Sequence, residues 1–574
     1  MSTITLSPDA VSTVTGTDLQ AIASRFDIKI NPEEESAYLL LLQSADAVYN
    51  SVAEYSEEIP PVLKPVDTVE PRTFVRPTAE ENPLNAWSHV CNLQAMAPTS
   101  DLLKGRTVAI KDNVCVGGLP TTLGVLSAQV SKTGGYVNSD IDAVVVSRLL
   151  QAGAVVKGTA VCEAYSAAPT SFTSATGIVN NPWAKEPGYT AGGSSSGCGA
   201  LLGATAMREQ GVLPETDSNG VPTVELAVGG DQGGSIRLPA AYNGVYGLKA
   251  THGLIPYTGA MGIAPMIDHL GPMATKLDDI AVMLQVMAGY DGLDARMTPD
   301  TPKREQVKNY PGILKAFRES FQAPPAAEPR PLRIGLLLES YAAPGLSPQV
   351  RDTVLQAAKQ AFSSAGAIVK EISIPMHHRG PLIWTAATRK TMGDFAVSGE
   401  TPGYLTWSPS HMDLKWPPDQ AMYEQMSKTN PTIMSLIFCA AYLKEKFGPS
   451  ADAAGHRAVY ALRAAYDAVL EDAGADGVDV LITPTVPTVS FKCPYLDSQE
   501  PSVMDRVKAA VGHSYNTCPF NVTGHPAMSV PCGFGQSEDG KERLPIGMQI
   551  IGRRWHDETV LKAAALFERG MELS

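Results

Sequence analysis

The feature that most restricts the fold is a strand–helix–strand pattern between residues 334 and 372. Ile334–Leu338 is an apolar run of strand length. Ser347-Pro348 then supplies an N-cap and first-turn pair, and Val350, Val354, Ala358 and Phe362 recur every fourth residue, so they share one face of a helix. Ala367–Ile372 follows as a second strand. The same alternation recurs earlier. Thr107–Ile110 and Ala154–Lys157 are short β-like runs, and Ile141–Leu150 between them reads as a helix with Val145 and Leu149 at i, i+4. Val478–Ile482 returns to strand near the end. Alternation of this kind belongs to α/β folds, so an α/β sheet flanked by helices is expected.

With 574 residues the chain is long enough for two or more structural units. Residues 1–85 are expected to form an N-terminal helical extension and linker. Asn31, Pro32 and Glu34 fit N-cap, N1 and N3 of a helix, Leu41, Ala45 and Val48 share one face with Tyr38 a turn before, and residues 58–83 are rich in Pro, Glu and Thr. Residues 86–574 form the remaining body, within which about 383–473 reads as a helical lobe rich in aromatics that covers the substrate.

Charge and cysteine usage exclude several functions. There are 59 acidic against 45 basic residues, a net charge of −14, which argues against nucleic acid or an anionic membrane as a partner. Eight cysteines include no CxxC and no zinc-ligand spacing, so reduced thiols in a cytoplasmic protein are expected. The opening MSTITLSPDA has neither a basic nor an apolar signal region, and the longest near-apolar stretch, Thr432–Leu443, is too short to span a bilayer.

Three segments carry chemistry. Gly105–Asn113 (GRTVAIKDN) puts Lys111 at the end of an apolar strand. Burial there lowers a lysine well below its ordinary value of about 10.4, and the neutral amine can act as a base. Gly188–Ala200 (GYTAGGSSSGCGA) is too dense in glycine for a regular element, and Ala200-Leu201-Leu202 looks like the start of a helix, so the turn is expected to offer free N–H groups. Cys198 in this loop reads as a small packed side chain. Val228–Ala240 (VGGDQGGSIRLPA) sets Ser235 after two glycines, a turn that can aim successive N–H groups into one small space.

Together these segments resemble the amidase signature family: a lysine ending a VAIKDN strand, a GGSSSG loop, then GGDQGGSIR, in that order. Ala250–Pro256 (ATHGLIP), His269–Met273 (HLGPM), Ile482–Pro487 (ITPTVP), His525–Pro531 (HPAMSVP) and Leu544–Gly552 (LPIGMQIIG) extend the resemblance over about residues 85–570. Within the family the chain looks most like the broad-range amidases associated with nitrile metabolism. The resemblance implies a large mixed β-sheet core flanked by helices and a Ser-Ser-Lys triad: Ser235 the nucleophile, Ser194 the bridging serine beside a cis peptide bond, Lys111 the base. It implies an oxyanion hole from the backbone N–H groups of Gln232, Gly233, Gly234 and Ser235, and substrate contact at Gly192 and Gly193. Asp231 and Arg237 are expected to be structural supports. No metal or organic cofactor, a small-molecule amide substrate, no nucleic acid or membrane partner and a homodimer complete the implied picture. The implied reaction is hydrolysis of the C–N bond of carboxylic amides through an acyl-enzyme, with esters or carbamates open as side substrates.

One departure stands out. Ser194 and Ser235 are 41 positions apart, longer than in most relatives, and the extra material at about 207–224 reads as a surface insertion with a turn at Asp217-Ser218-Asn219-Gly220. Two other functions compete. Gly193–Gly197 also matches G-x-S-x-G, which would make Ser195 an α/β-hydrolase nucleophile paired with His513, His525 or His556. However, NNPWAKEPGYTAG before it is not the required strand. The A chain of a tRNA-dependent amidotransferase shares the same motifs but works with partner chains. Trp384, Tyr404, Trp407, Met422 and Ile437, with loops near 124–136 and 167–175, are candidate pocket walls, and their apolar tone suggests a neutral acyl group.

Overall fold

The computed structural model describes residues 11–213, 224–322, 330–401, 403–472, 474 and 476–574. The chain divides into two compact units, one ending at Pro61 and the other running from Val62 to Ser574. The first holds helices Gly16–Ser24 and Glu35–Ala53. The second helix begins after Glu34, not at Pro32. Asn31 caps a preceding turn, accepting at its carbonyl from the Glu34 N–H and donating from Nδ2 to the Glu34 carboxylate at 3.1 Å.

The larger unit is built on one mixed sheet of twelve strands: β1 (Phe74–Val75), β2 (Trp87–Gln94), β3 (Thr107–Lys111), β4 (Val155–Ala160), β5 (Leu226–Asp231), β6 (Tyr246–Lys249), β7 (His269–Ala274), β8 (Arg333–Leu337), β9 (Ile368–Ile372), β10 (Val480–Pro484), β11 (Ala527–Gln536) and β12 (Arg543–Gly552). Their order is β1-β2-β4-β3-β5-β7-β6-β11-β12-β10-β8-β9. β4, β3 and β5 run parallel, as do β10, β8 and β9, and the remaining pairs are antiparallel. Residues 62–85, grouped with the extension in the sequence reading, belong to this larger unit, and their strand β1 pairs with β2.

Period-two alternation sorts strand residues between two cores. Val108, Ile110, Leu226 and Val228 face one cluster, with helices Val144–Gln151, Leu277–Met287, Pro348–Ser364 and Asp557–Leu573 around it, while Ala109 and Ala227 face another under helix Ser196–Glu209. The helix read from residues 347–362 forms as expected: Ser347 Oγ accepts from the Val350 N–H at 3.3 Å, and Val350, Val354, Ala358 and Phe362 are fully buried. The lobe comprises helices Gly380–Thr391, Gln420–Thr429, Pro431–Phe447 and Ser450–Leu470. Met422, Ile433, Ile437, Leu462 and Tyr466 pack with strand residues Leu481 and Ile551, so the lobe sits on the sheet through its own apolar faces. The turn at Asp217–Gly220 lies outside the described residues. No described helix is long and apolar enough to cross a membrane.

Candidate active site

Parallel strands converge on the site. Open α/β sheets place ligands beyond the carboxyl ends of their strands. Here β4, β3 and β5 end at Ala160, Lys111 and Asp231, and lead directly into Glu163, Asp112 and the 231–237 turn. Lys111 is fully buried, with its Nζ 2.8 Å from Ser194 Oγ and 3.5 Å from the Gly230 carbonyl. Burial pulls its amine below the usual lysine range, a shift only partly offset by Cys162, Cys198, Asp231 and Glu163 nearby.

The loop bearing Ser194 is tied down on both sides. The Gly193–Ser194 peptide is cis. The Ser194 carbonyl accepts from the Glu163 N–H at 3.1 Å, and the Ser195 N–H donates to the Ser235 carbonyl at 3.2 Å, which joins the two serine segments directly. Helix Ser196–Glu209 starts at Ser196, four residues earlier than the sequence reading set it, and its glycines let it lie close to its neighbours: a Cβ on Gly197 would stand 2.3 Å from the Ala86 carbonyl. Of its first N–H groups, that of Gly197 donates to the Val161 carbonyl and that of Gly199 to the Ser195 carbonyl, each at 3.0 Å, so these two are not free. Glu163, missed from sequence, accepts from Ser196 Oγ at 2.7 Å and from the N–H and Oγ1 of Thr173, and burial still pushes its carboxyl up to about 7. Gly192 and Gly193, read as substrate contacts, turn their N–H groups into the protein and are not among the residues lining the cavity at Ser235. Gly192 donates to Thr190 Oγ1 and Gly193 to the Pro169 carbonyl, and a Cβ on Gly193 would stand 2.5 Å from the Ala168 carbonyl. Cys198 is a packed thiol that burial raises to about 12.

The turn carrying Ser235 hangs on a buried ion pair. Asp231 and Arg237 are both inaccessible, joined by two hydrogen bonds of 2.9 Å, and the Asp231 carboxylate also accepts from Gly234 N–H at 2.8 Å, Ile236 N–H at 3.1 Å and Asn521 Nδ2 at 2.8 Å. Burial alone would raise this carboxyl. The Arg237 charge and hydrogen bonds, with Asn521, outweigh burial and hold it below the ordinary range. Arg237 is completed by the Thr517 carbonyl at 3.0 Å, Gln549 Oε1 at 2.6 Å and Asn521 Oδ1 at 2.7 Å.

Two further side chains pin the peptide planes. Trp384 Nε1 donates to the Gln232 carbonyl at 3.0 Å, and Thr517 Oγ1 to the Gly233 carbonyl at 2.6 Å. A planar peptide held at its carbonyl has its N–H fixed on the opposite side. Gly234 N–H is thereby committed to Asp231, so of the four backbone donors read from sequence it is the one already engaged. The Gln232, Gly233 and Ser235 N–H groups have no acceptor among the described residues. Gln232 Nε2 donates to Tyr257 Oη at 2.9 Å, and Asn113 Nδ2 reaches the same oxygen at 3.2 Å.

Ser235 lines a cavity of about 580 Å³, together with Gln232, Gly233, Trp384 and Cys518. Of the expected walls, Trp384 and residues 167–169 line it. Residues 124–136 do not, Tyr404 and Trp407 line other cavities, and Met422 and Ile437 are lobe core. Residues 507–518 form a wall that the sequence reading did not include. Ser195 Oγ is buried against the Gly230 backbone, His513 and His525 are paired with Tyr242 and Asp467, and His556 lies 3.7 Å from the Glu558 carboxylate, so among the described residues none of these histidines pairs with Ser195. Among the described residues no three His, Cys, Asp or Glu side chains gather as a metal-binding group.

This arrangement can be set against known proteins. The amidase family model matches residues 72–211 and 219–561. The chain belongs to the amidase family. It is 35% identical over 500 residues to an enantioselective amidase of Rhodococcus rhodochrous, covering 87% of this chain and 86% of that one. It is 31% identical over 478 residues to the A chain of a glutamyl-tRNA(Gln) amidotransferase of Symbiobacterium thermophilum, covering 81% and 83%. A bacterial aryl acylamidase of the amidase signature enzymes shares its fold, with a TM-score of 0.59 at 21% identity over 83% of this chain and 84% of that one.

Proposed function

We propose that the chain hydrolyses the C–N bond of carboxylic amides to a carboxylate and ammonia or an amine, through a Ser235 acyl-enzyme served by a Ser194–Lys111 relay. The observation that carries this reading is the fully buried Lys111 amine 2.8 Å from Ser194 Oγ, on a loop whose next N–H holds the Ser235 carbonyl. A neutral Lys111 accepts the Ser194 proton as Ser194 takes that of Ser235, and Ser235 Oγ attacks the amide carbon. The oxyanion is held by the Gln232, Gly233 and Ser235 N–H groups, each such donor contributing about 3 kcal/mol. Collapse breaks the C–N bond, and the leaving nitrogen takes its proton back through Ser194. Water, deprotonated by the same relay, then releases the carboxylate and restores Ser235. A homodimer in the cytoplasm and activity on esters or carbamates belong to the same proposal.

The test is ammonia release by the purified chain from aliphatic and aromatic primary amides, with matched esters and a carbamate alongside and Ser235→Ala as the blank. Turnover that vanishes in the blank is the expected result. Turnover that survives it would overturn the assignment of the nucleophile. Similarity to an amidotransferase chain favours a second reading, in which released ammonia passes to a partner chain. Full turnover of simple amides by the isolated chain would count against that reading.

A further inference from the structure

Helix Gly380–Thr391 presents Pro381, Trp384, Thr385 and Arg389 to the Ser235 cavity, at spacings that repeat on one helical face. Trp384 fixes the register of this helix against the nucleophile turn through its bond to the Gln232 carbonyl. Arg389 lies five residues further on, roughly 7 Å along the axis at about 1.5 Å per residue. It is the one charged side chain among the residues lining the cavity, whose other walls are apolar, hydroxyl-bearing or amide. It is half-buried, and among the described residues it makes no hydrogen bond or ion pair through its guanidinium. Lys390 beside it behaves as a structural cation does, paired with Asp394 at 2.6 Å and with Asp452 at 3.7 Å.

Burial strips part of the hydration from this guanidinium, and its planar fork matches a carboxylate in two parallel hydrogen bonds. Resting on the amide-hydrolysis reading above, we propose that the preferred substrate is an amide carrying a carboxylate several bonds from the scissile carbonyl, held by Arg389 while Ser235 attacks. This departs from the neutral acyl group that the sequence suggested, because of the side chains on which that expectation rested only Trp384 lines this cavity, and Arg389 lines it as well. It makes Arg389 a binding residue that touches substrate and takes no part in proton transfer.

The test compares kcat/KM for charged and neutral partners in the full chain, in two arms. Adipic acid monoamide against hexanamide places the carboxylate in the acyl part, and N-hexanoylglycine against N-propylhexanamide places it in the leaving amine. A charged-to-neutral ratio of about tenfold or more in one arm is expected, collapsing by about tenfold in Arg389→Gln and partly kept in Arg389→Lys. Thermal unfolding midpoints establish that both variants fold. Hydrolysis of neutral amides with ratios at or below one in both arms, unchanged in Arg389→Gln, would overturn the proposal and leave the amidase reading standing. Hydrolysis of no amide at all would overturn the amidase reading instead. Carboxylate recognition is then decided by calorimetric titration of adipate: binding by the parent that is lost in Arg389→Gln supports it, while no binding or equal binding by both overturns it.

Discussion

Burial lowers the Lys111 amine, and in the proposed relay that shift is what lets it serve as a base. The proposed relay requires its neutral form, so kcat/KM for a neutral amide should fall as pH drops through its depressed pKa. It should plateau below the ordinary lysine value of 10.5. A profile that keeps rising toward 10.5 would mean a solvated lysine and a different base. Arg237 is the opposite case, a charge kept for structure. Arg237→Met should leave the buried Asp231 carboxylate without its cation, costing about 3–5 kcal/mol and lowering the thermal midpoint by several degrees, with the Ser235 turn loosened as well. An unchanged midpoint would show that Asn521 and the turn N–H groups suffice for Asp231. At this scale the sequence was most legible: Lys111, Ser194 and Ser235 stand on motif positions whose order is specific. Glu163 and Arg389 were not legible, since neither lies in a glycine-rich turn and what sets them apart is burial or a missing partner, which only tertiary packing determines. The commitment of the Gly234 N–H to Asp231 was equally hidden, because it depends on which way Thr517 turns the Gly233 carbonyl.

Among the elements, strands and helices with strong periodicity were read to within a few residues: Thr107–Lys111, Arg333–Leu337 and Pro348–Ser364 match their expected spans closely. Irregular pieces were not. The helix after Ser194 was set too late because glycine and serine weaken every local helix signal, and packing against Val161 and Pro239 overrides that weakness. Strand β2 was missed because its polar Ser88, His89 and Asn92 mask the pattern. Helix Gly380–Thr391 was seen only as part of a covering lobe, yet it reaches into the site through Trp384. Trp384→Phe keeps an aromatic wall but removes the hydrogen bond to Gln232, leaving a carbonyl of the nucleophile turn unpinned. The expected result is a kcat about tenfold lower with a smaller change in KM, since one such bond carries about 1–1.5 kcal/mol. A raised KM with kcat intact would reduce Trp384 to a wall of the cavity.

For the whole molecule, the boundary between extension and enzyme is set by a strap that composition disguises. Residues 58–83 read as a linker rich in Pro, Glu and Thr, but they carry Arg72, whose guanidinium grips the inaccessible Asp142 carboxylate at 2.7 and 2.9 Å and donates to the Gly117 carbonyl at 2.8 Å. The Val66 N–H reaches the same carboxylate at 2.8 Å. Asp142 precedes the crossover helix Val144–Gln151 between β3 and β4, the strands that end at Lys111 and lead to Glu163, so the strap is tied to the segment that joins two strands of the site. A chain starting at Val62 retains this pair and every residue of the site. It should keep its thermal midpoint and its turnover within about twofold, as expected of a unit with its own core. A chain starting at Ala86 loses Arg72 and Val66, and strands a buried carboxylate whose loss of partner costs about 3–5 kcal/mol, so its midpoint should drop and its activity with it. If the two truncations unfolded at the same temperature and turned over amides alike, the strap would be covering only.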